Sequence, residues 1–157
     1  MNGKLRNMTG IYLLKGDKIL LLYRQGGKVV NNVWTGSAGG HFEPFELNDP
    51  TACVLREMQE EIGLTEDEIE GLALRYITLR NVEGEVRQNY YFFATLIKTA
   101  PIDLRSNEGK LRFVNISEMM SLPMPFSHKF PPISVNTTVS SVAIPPYSLS
   151  LYCPVSR

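Results

Sequence analysis

Apolar residues occur in several short runs along the chain, whereas one longer segment has its apolar residues at the spacing of a helix. The runs at 10–14 and 18–23 are joined by the Lys-Gly-Asp sequence at 15–17, which is typical of a hairpin turn. The pattern predicts further strands at 33–38, 72–79, 88–97 and 111–114. It also predicts a turn at 81–85 and a helical segment at 117–120. Because strands precede and follow the mid-chain helix, the pattern predicts a mixed α/β fold with helices packed on a sheet.

The mid-chain helix has a clear start and two distinct faces. Asp49 is a good N-cap, and Pro50 suits the first helical position. The apolar face consists of Val54, Leu55, Met58 and Ile62. Three carboxylates lie within roughly 100° of one another on another side of the helix: Glu57, Glu60 and Glu61. The helix therefore packs through one face and presents a cluster of negative charge elsewhere.

The carboxylate cluster is a poor device for stability, because like charges at helical spacing cost a few tenths of a kcal/mol each. Hard divalent cations prefer oxygen ligands, so the cluster is a candidate cradle for such an ion. A solvated acidic helix face is the alternative interpretation, and the helix alone does not exclude it.

Composition narrows the class of protein. The chain has 157 residues, 43% of them hydrophobic and 20% charged, which is ordinary for one soluble globular domain. A net charge of zero without a Lys/Arg run argues against a nucleic-acid polymer as partner. No apolar run approaches the roughly 18 residues of a membrane span, and the first residues lack the layout of a signal peptide. Cys53 and Cys153 have no metal-type spacing, which fits a reducing, cytoplasmic location.

The C-terminal part of the chain differs in composition from the rest. From Pro131 to Ser156 it contains no charged residue but many Pro and Ser residues. The Pro-Pro pair at 131–132 argues against a helix there. We therefore divide the chain into a domain at 1–130 and a tail at 131–157 that is extended, disordered or covered by a partner.

The segment from Gly39 to Leu64 resembles the box of the Nudix hydrolase family, G-x5-E-x7-R-E-U-x-E-E-x-G-U, where U is aliphatic. Gly40 is followed after five residues by Glu46, and residues 56–64 match the second half at every position. The gap between Glu46 and Arg56 is nine residues instead of seven. The Asn-Asp-Pro start of the helix places the extra residues in the preceding loop. The insertion leaves open whether Glu46 keeps its usual structural role or shares it with Glu43.

The resemblance covers roughly residues 8–130 and implies an α/β/α sandwich with a mixed sheet. The tail is then atypical, because the family has an amphipathic helix near this point. The implied activity is hydrolysis of a diphosphate linkage in a nucleoside diphosphate joined to a group X, with Mg²⁺ or Mn²⁺ as cofactor. By the same resemblance, the principal metal ligands are Glu60, Glu61 and the carbonyl of Gly39. Glu57 is implied to bind a second metal ion or accept the proton of the attacking water, and Arg56 to orient the glutamates.

Three further positions are candidate site residues. The Asn-Glu-Gly sequence at 107–109 is similar to a loop of the MutT-type branch that carries an additional carboxylate. Glu108 is therefore a candidate metal ligand or general base, and an ordinary loop glutamate is an equally good interpretation. Arg24 is a candidate contact for substrate phosphates, with simple solvent exposure as the alternative. Gly40, in the glycine turn, is assigned to substrate binding.

The specific prediction is a MutT-like enzyme that converts a nucleoside triphosphate such as 8-oxo-dGTP to the monophosphate and pyrophosphate. Nucleotide sugars, ADP-ribose and dinucleoside polyphosphates are alternative substrates, because no motif marks the residues that select the base. A non-catalytic Nudix-fold nucleotide-binding module is the alternative of another class. Such modules usually lose glutamates of the box, whereas this chain keeps all three. The expected partner is a small-molecule nucleotide, and the expected assembly is a monomer or homodimer.

Overall fold

The computed structural model describes residues 4–25, 32–97, 105–106, 108–125, 128 and 148–152. Within these ranges the chain forms strands and two α-helices, with 3₁₀ turns at Pro44–Glu46 and Glu66–Glu68. The elements are β1 (Lys4–Lys15), β2 (Lys18–Arg24), β3 (Val33–Thr35), α1 (Pro50–Ile62), β4 (Ile69–Val82), β5 (Glu85–Leu96), β6 (Arg105–Ser106), β7 (Gly109–Asn115), α2 (Ile116–Met119) and β8 (Ser148–Tyr152).

One mixed sheet contains all the described strands. Its order is β6-β7-β2-β1-β5-β4-β8, and β3 pairs with β2 beside this path. The predicted hairpin is confirmed, since β1 and β2 pair antiparallel around the turn at 15–17. In the centre of the sheet β1 runs parallel to β5, whereas β5 and β4 form an antiparallel hairpin. The parallel pair places the glycine turn after β3 and the helix α1 against the middle of the sheet.

Side chains alternate between two buried faces of the sheet. On β1, Ile11 and Leu13 belong to the core beneath α1, and Tyr12 points to the opposite core. Helix α1 buries the face predicted for it, with Val54 and Met58 fully inaccessible to solvent. The opposite core consists mainly of aromatic and sulfur-containing side chains: Tyr12, Tyr76, Tyr91, Phe93, Met119 and Met124. Both faces of the sheet are therefore covered, as a layered α/β fold requires.

The strands extend further than the apolar runs predicted. Strand β1 begins at Lys4, because its polar first half pairs with β5 from Lys4 opposite Glu85 onward. Strand β4 begins at Ile69 and contains register shifts between residues 70 and 76. The predicted strand at 33–38 is shorter, and Ala38 only bridges to Ile11.

Most of the predicted tail at 131–157 lies outside the described residues, as do residues 26–31 of the loop that follows β2. The part of the tail that is described, β8, pairs antiparallel with β4 from Tyr76 to Arg80. In the described part of the chain, no helix is long and apolar enough to cross a membrane.

Candidate active site

The site is organised around the glycine turn, where three parts of the chain meet at close range. The backbone N–H of Gly39 donates a hydrogen bond to Glu61 Oε2 at 2.9 Å. A Cβ atom on Gly39 would lie 2.2 Å from the Thr9 carbonyl oxygen, and one on Gly40 would lie 2.4 Å from the Glu57 carboxylate. Any side chain at either glycine would therefore separate the turn from β1 or from α1.

Helix α1 starts and stops as the sequence predicts. The side chain of Asp49 accepts a hydrogen bond from the Ala52 N–H at 3.0 Å. At the other end Gly63 adopts a left-handed φ of 67°, and its N–H bonds to the Gln59 carbonyl. The two extra residues of the box consequently lie ahead of the helix, and the spacing of its glutamates is undisturbed.

Glu46 keeps a structural role in spite of the insertion. Its Oε1 lies 2.7 Å from Arg56 Nε, and its Oε2 lies 2.9 Å from Arg56 Nη2. Oε2 also accepts the backbone N–H of Glu43 at 2.8 Å. The hydrogen bonds from Arg56 lower the pKa of this buried carboxyl to about 2. The longer loop is accommodated after Glu46 by a turn at 47–48, which the hydrogen bond from the Asp49 N–H to the Glu46 carbonyl closes at 2.8 Å.

Arg56 also contacts two of the clustered glutamates. Its Nη1 lies 2.9 Å from Glu57 Oε1 and 2.9 Å from Glu60 Oε2. The Glu57 side chain is 13% exposed, whereas that of Glu60 is 59% exposed. These contacts are those of a residue that orients carboxylates. A role of Arg56 in catalysis stays a prediction.

A cleft opens on the other side of Glu61. The cleft is lined by Gly39, Glu61, Arg24 and Glu108. Arg24 and Glu108 form an ion pair, since Arg24 on β2 is paired with Gly109, the residue that follows Glu108. Burial raises the pKa of Glu61 to about 7, and the negative charges of Glu108 and Glu57 add to this shift. Burial likewise raises the pKa of Glu57. The site thus concentrates negative charge where water stabilises it poorly.

The donors fit a divalent cation by their chemistry. Carboxylates and a backbone carbonyl are hard oxygen ligands, and a nearby cation would offset the unfavourable charge of Glu57 and Glu61. Among the described residues, no three Asp, Glu, His or Cys side chains converge tightly enough to hold an ion in this arrangement. Arg56 meanwhile holds Glu57 and Glu60 toward itself. A cation held by Glu57 or Glu60 would therefore require a change in the side-chain contacts of these two glutamates.

The structure brings most predicted site residues together and places further residues in the cleft that the sequence analysis did not identify. Arg24, Gly39, Glu61 and Glu108 share the cleft, Glu57 lies against Gly40, and Glu60 lies on the outer side of α1. The cleft is also lined by Met8, Asn89 and His128. Of Met8, Asn89 and His128, only Asn89 could have been found from the sequence, because it is a polar residue at the start of an aromatic strand. Tyr23 and Trp34 pack against each other with ring centroids 4.9 Å apart.

The comparisons with known proteins agree with this architecture. A family model of the NUDIX domain matches residues 4–132, so the chain belongs to the NUDIX domain family. A comparison with curated protein sequences gave no match.

Solved structures with the same fold come from proteins of different activities. The chain is similar to the mutator MutT protein of Bacillus halodurans at 26% identity and a TM-score of 0.59, covering 79% of this chain and 77% of that one. A Caenorhabditis elegans Ap4A hydrolase in a binary complex is 18% identical, with a TM-score of 0.62 and coverage of 79% and 90%. The NUDIX domain of Shewanella oneidensis NrtR with ADP ribose is 17% identical, with a TM-score of 0.60 and coverage of 82% and 83%.

Family and fold predictions are therefore confirmed. The box resemblance corresponds to a family match over most of the chain, and the mixed sheet is that of the Nudix fold. The protein is an enzyme of the Nudix pyrophosphohydrolase class.

Proposed function

We propose that the protein hydrolyses a nucleoside triphosphate, such as 8-oxo-dGTP, to the monophosphate and pyrophosphate with Mg²⁺ or Mn²⁺. The observation that carries the proposal is the position of Glu61. It is held by the Gly39 N–H in a cleft that also contains an arginine and a second carboxylate. Negative charge held in a partly dry cleft is suited to a bound cation and a phosphate chain.

Each residue has a distinct part in this proposal. The ion is held by Gly39 through its carbonyl and by Glu57, Glu60 and Glu61. When bound, the ion neutralises charge on phosphate oxygens and lowers the pKa of a coordinated water. Arg24 binds a phosphate group once its pairing with Glu108 opens. Glu108 or Glu57 accepts the proton of the attacking water, while Arg56 orients the glutamates and Gly40 contributes to substrate binding.

The choice of a triphosphate is supported by the similarity to the MutT protein. Of the three structures compared, it is the one more than 25% identical to this chain. The other two are an Ap4A hydrolase and a domain bound to ADP ribose. We further propose that the enzyme is cytoplasmic and acts on a small-molecule nucleotide as a monomer or homodimer. Neither a nucleic-acid polymer nor a membrane is its partner in this proposal.

A substrate panel tests the proposal. The purified protein is incubated with the canonical deoxynucleoside triphosphates, 8-oxo-dGTP, ADP-ribose, a nucleotide sugar and Ap4A. Products are identified by ³¹P NMR, in Mg²⁺ and in excess EDTA. We expect one triphosphate to yield monophosphate and pyrophosphate with the highest kcat/KM, and EDTA to abolish its turnover. A higher kcat/KM for a substrate without a triphosphate would contradict the proposed substrate, and undiminished turnover in EDTA would contradict the metal-dependent mechanism.

A further inference from the structure

A group of buried polar atoms lies on the aromatic face of the sheet, next to the cleft. In the described part of the chain, five buried side-chain polar atoms have no hydrogen-bond partner. Four of them belong to neighbouring positions on β4 and β5: Tyr76 Oη, Thr78 Oγ1, Arg80 Nε and Asn89 Oδ1. Buried polar atoms without partners cost free energy, so a cluster of them calls for an explanation.

The geometry of the sheet places these atoms on one face. Tyr76, Thr78 and Arg80 alternate along a regular part of β4, so their side chains point the same way. Thr78 is paired directly opposite Asn89 on β5. Directly opposite residues of an antiparallel pair share a face, so the four polar groups form one continuous patch. We call this set, Tyr76, Thr78, Arg80 and Asn89, the polar patch.

Asn89 connects the polar patch to the cleft. It is 7% exposed and lines the same cleft as Glu61 and Arg24. Its Nδ2 donates to Tyr91 Oη at 3.2 Å, which fixes the carboxamide and leaves Oδ1 without a partner. Gly10 and Tyr91 line the same cleft, and a Cβ atom on Gly10 would lie only 3.3 Å from the Tyr91 ring. Because Glu61 and Asn89 line one cleft, a ligand held at Glu61 could extend along it toward the free carboxamide oxygen.

We propose that Asn89 is a specificity-determining residue, whose Oδ1 accepts a hydrogen bond from an N–H on the edge of the substrate's nucleobase. The inference rests on the proposed function, because it takes the ligand at Glu61 to be a nucleotide. A site built to accept an N–H discriminates strongly against a ligand that lacks one, since the buried acceptor is then left unpaired. The unpaired atom of the free protein is satisfied in the complex.

The test uses Asn89→Leu, with Gln88→Leu as matched control. Both changes replace an amide by an apolar group at adjacent positions, and Gln88 points to the opposite face of the sheet and pairs with Tyr90. Affinities are measured by calorimetry in EDTA for the deoxynucleoside monophosphates, 8-oxo-dGMP and abasic deoxyribose 5-phosphate. The affinity for the nucleotide that binds most tightly is then compared with the affinity for the abasic compound.

We expect the parent and Gln88→Leu to prefer the nucleotide, and Asn89→Leu to lose about 10- to 100-fold in affinity for it. Affinity for the abasic phosphate should change less than about twofold. Asn89→Leu should also melt close to the temperature of the parent, because relief of the unpaired Oδ1 offsets loss of the hydrogen bond from Nδ2 to Tyr91 Oη. A merely structural asparagine would instead lower the melting temperature.

Two results would overturn the inference. One is that the ratio of the affinities for nucleotide and abasic phosphate in Asn89→Leu stays within about twofold of the ratio in the parent. The other is an equal loss of affinity for nucleotide and abasic phosphate together with a lower melting temperature. Because binding is measured without metal or turnover, failure of Asn89 is distinguishable from failure of the proposed hydrolysis, which the substrate panel tests separately.

Discussion

Glu108 and Glu57 are the two carboxylates that compete for the role of proton acceptor. If Glu108 acts as the base, Glu108→Gln should lower kcat by about 10²- to 10³-fold with little change in KM, the usual scale for a positioned general base. Steady-state kinetics of this variant and of Glu57→Gln give the comparison. A large loss at Glu57 with none at Glu108 would move the proton acceptor onto the helix.

Glu46 makes the folded protein sensitive to acid. Its pKa is lowered to about 2 by Arg56 in the folded state, below the ordinary value of a glutamate. The unfolded state therefore binds the proton first, so stability is full above the ordinary pKa and is lost as the pH falls toward 2. We expect the difference in free energy of unfolding between the parent and Glu46→Gln to shrink by about 2 kcal/mol from pH 7 to about pH 3. Urea titrations at the two pH values measure it, and a difference independent of pH would show that the ion pair does not stabilise the fold.

Sequence reasoning at this scale was successful where spacing along one helix decides geometry. The order of Glu57, Glu60 and Glu61 around α1 follows from 3.6 residues per turn. Their surroundings do not follow from it, since Glu61 lines the cleft whereas the Glu60 side chain is 59% exposed. The pairing of Glu46 with Arg56 could not be predicted, because the number of residues in a longer loop does not determine where its two ends lie. The unpaired oxygen of Asn89 was also beyond reach, since it depends on partners across β4 and β5.

At the scale of elements, α1 depends on its N-cap. Asp49 satisfies the Ala52 N–H, so Asp49→Ala should reduce the free energy of unfolding by about 1 kcal/mol. Asp49→Ser keeps a capping oxygen and should recover most of the loss. Thermal denaturation followed by circular dichroism compares the three proteins. Equal stability of the Ala and Ser variants would mean that the cap contributes nothing.

The limits of α1 were predictable because Asp49, Pro50 and Gly63 are local signals. The limits of β1 were not, because its first half contains polar residues and is held by parallel pairing with a strand far along the chain. Apolar runs locate the part of a strand that crosses the core, whereas pairing beyond the core depends on the partner strand.

At the scale of the whole molecule, the order of elements gave the mixed α/β class but not the topology. The parallel β1–β5 pair in the centre of the sheet is a long-range contact that no local pattern encodes. The resemblance supplied the α/β/α sandwich with a mixed sheet but not this pairing, and the family match over residues 4–132 confirms the family. The boundary drawn at residue 130 stays a prediction.

The most direct test of the account is the turnover of Glu61→Gln. The change removes a charge from the cation cradle without altering side-chain volume, and charged groups at such centres contribute several kcal/mol to catalysis. Glu70→Gln, at an exposed position on β4, is the control. With the best substrate of the panel and saturating Mg²⁺, we expect kcat of Glu61→Gln to fall at least about 10³-fold and that of Glu70→Gln to be unchanged. A folded Glu61→Gln enzyme with kcat within about threefold of the parent would contradict the assignment of the site.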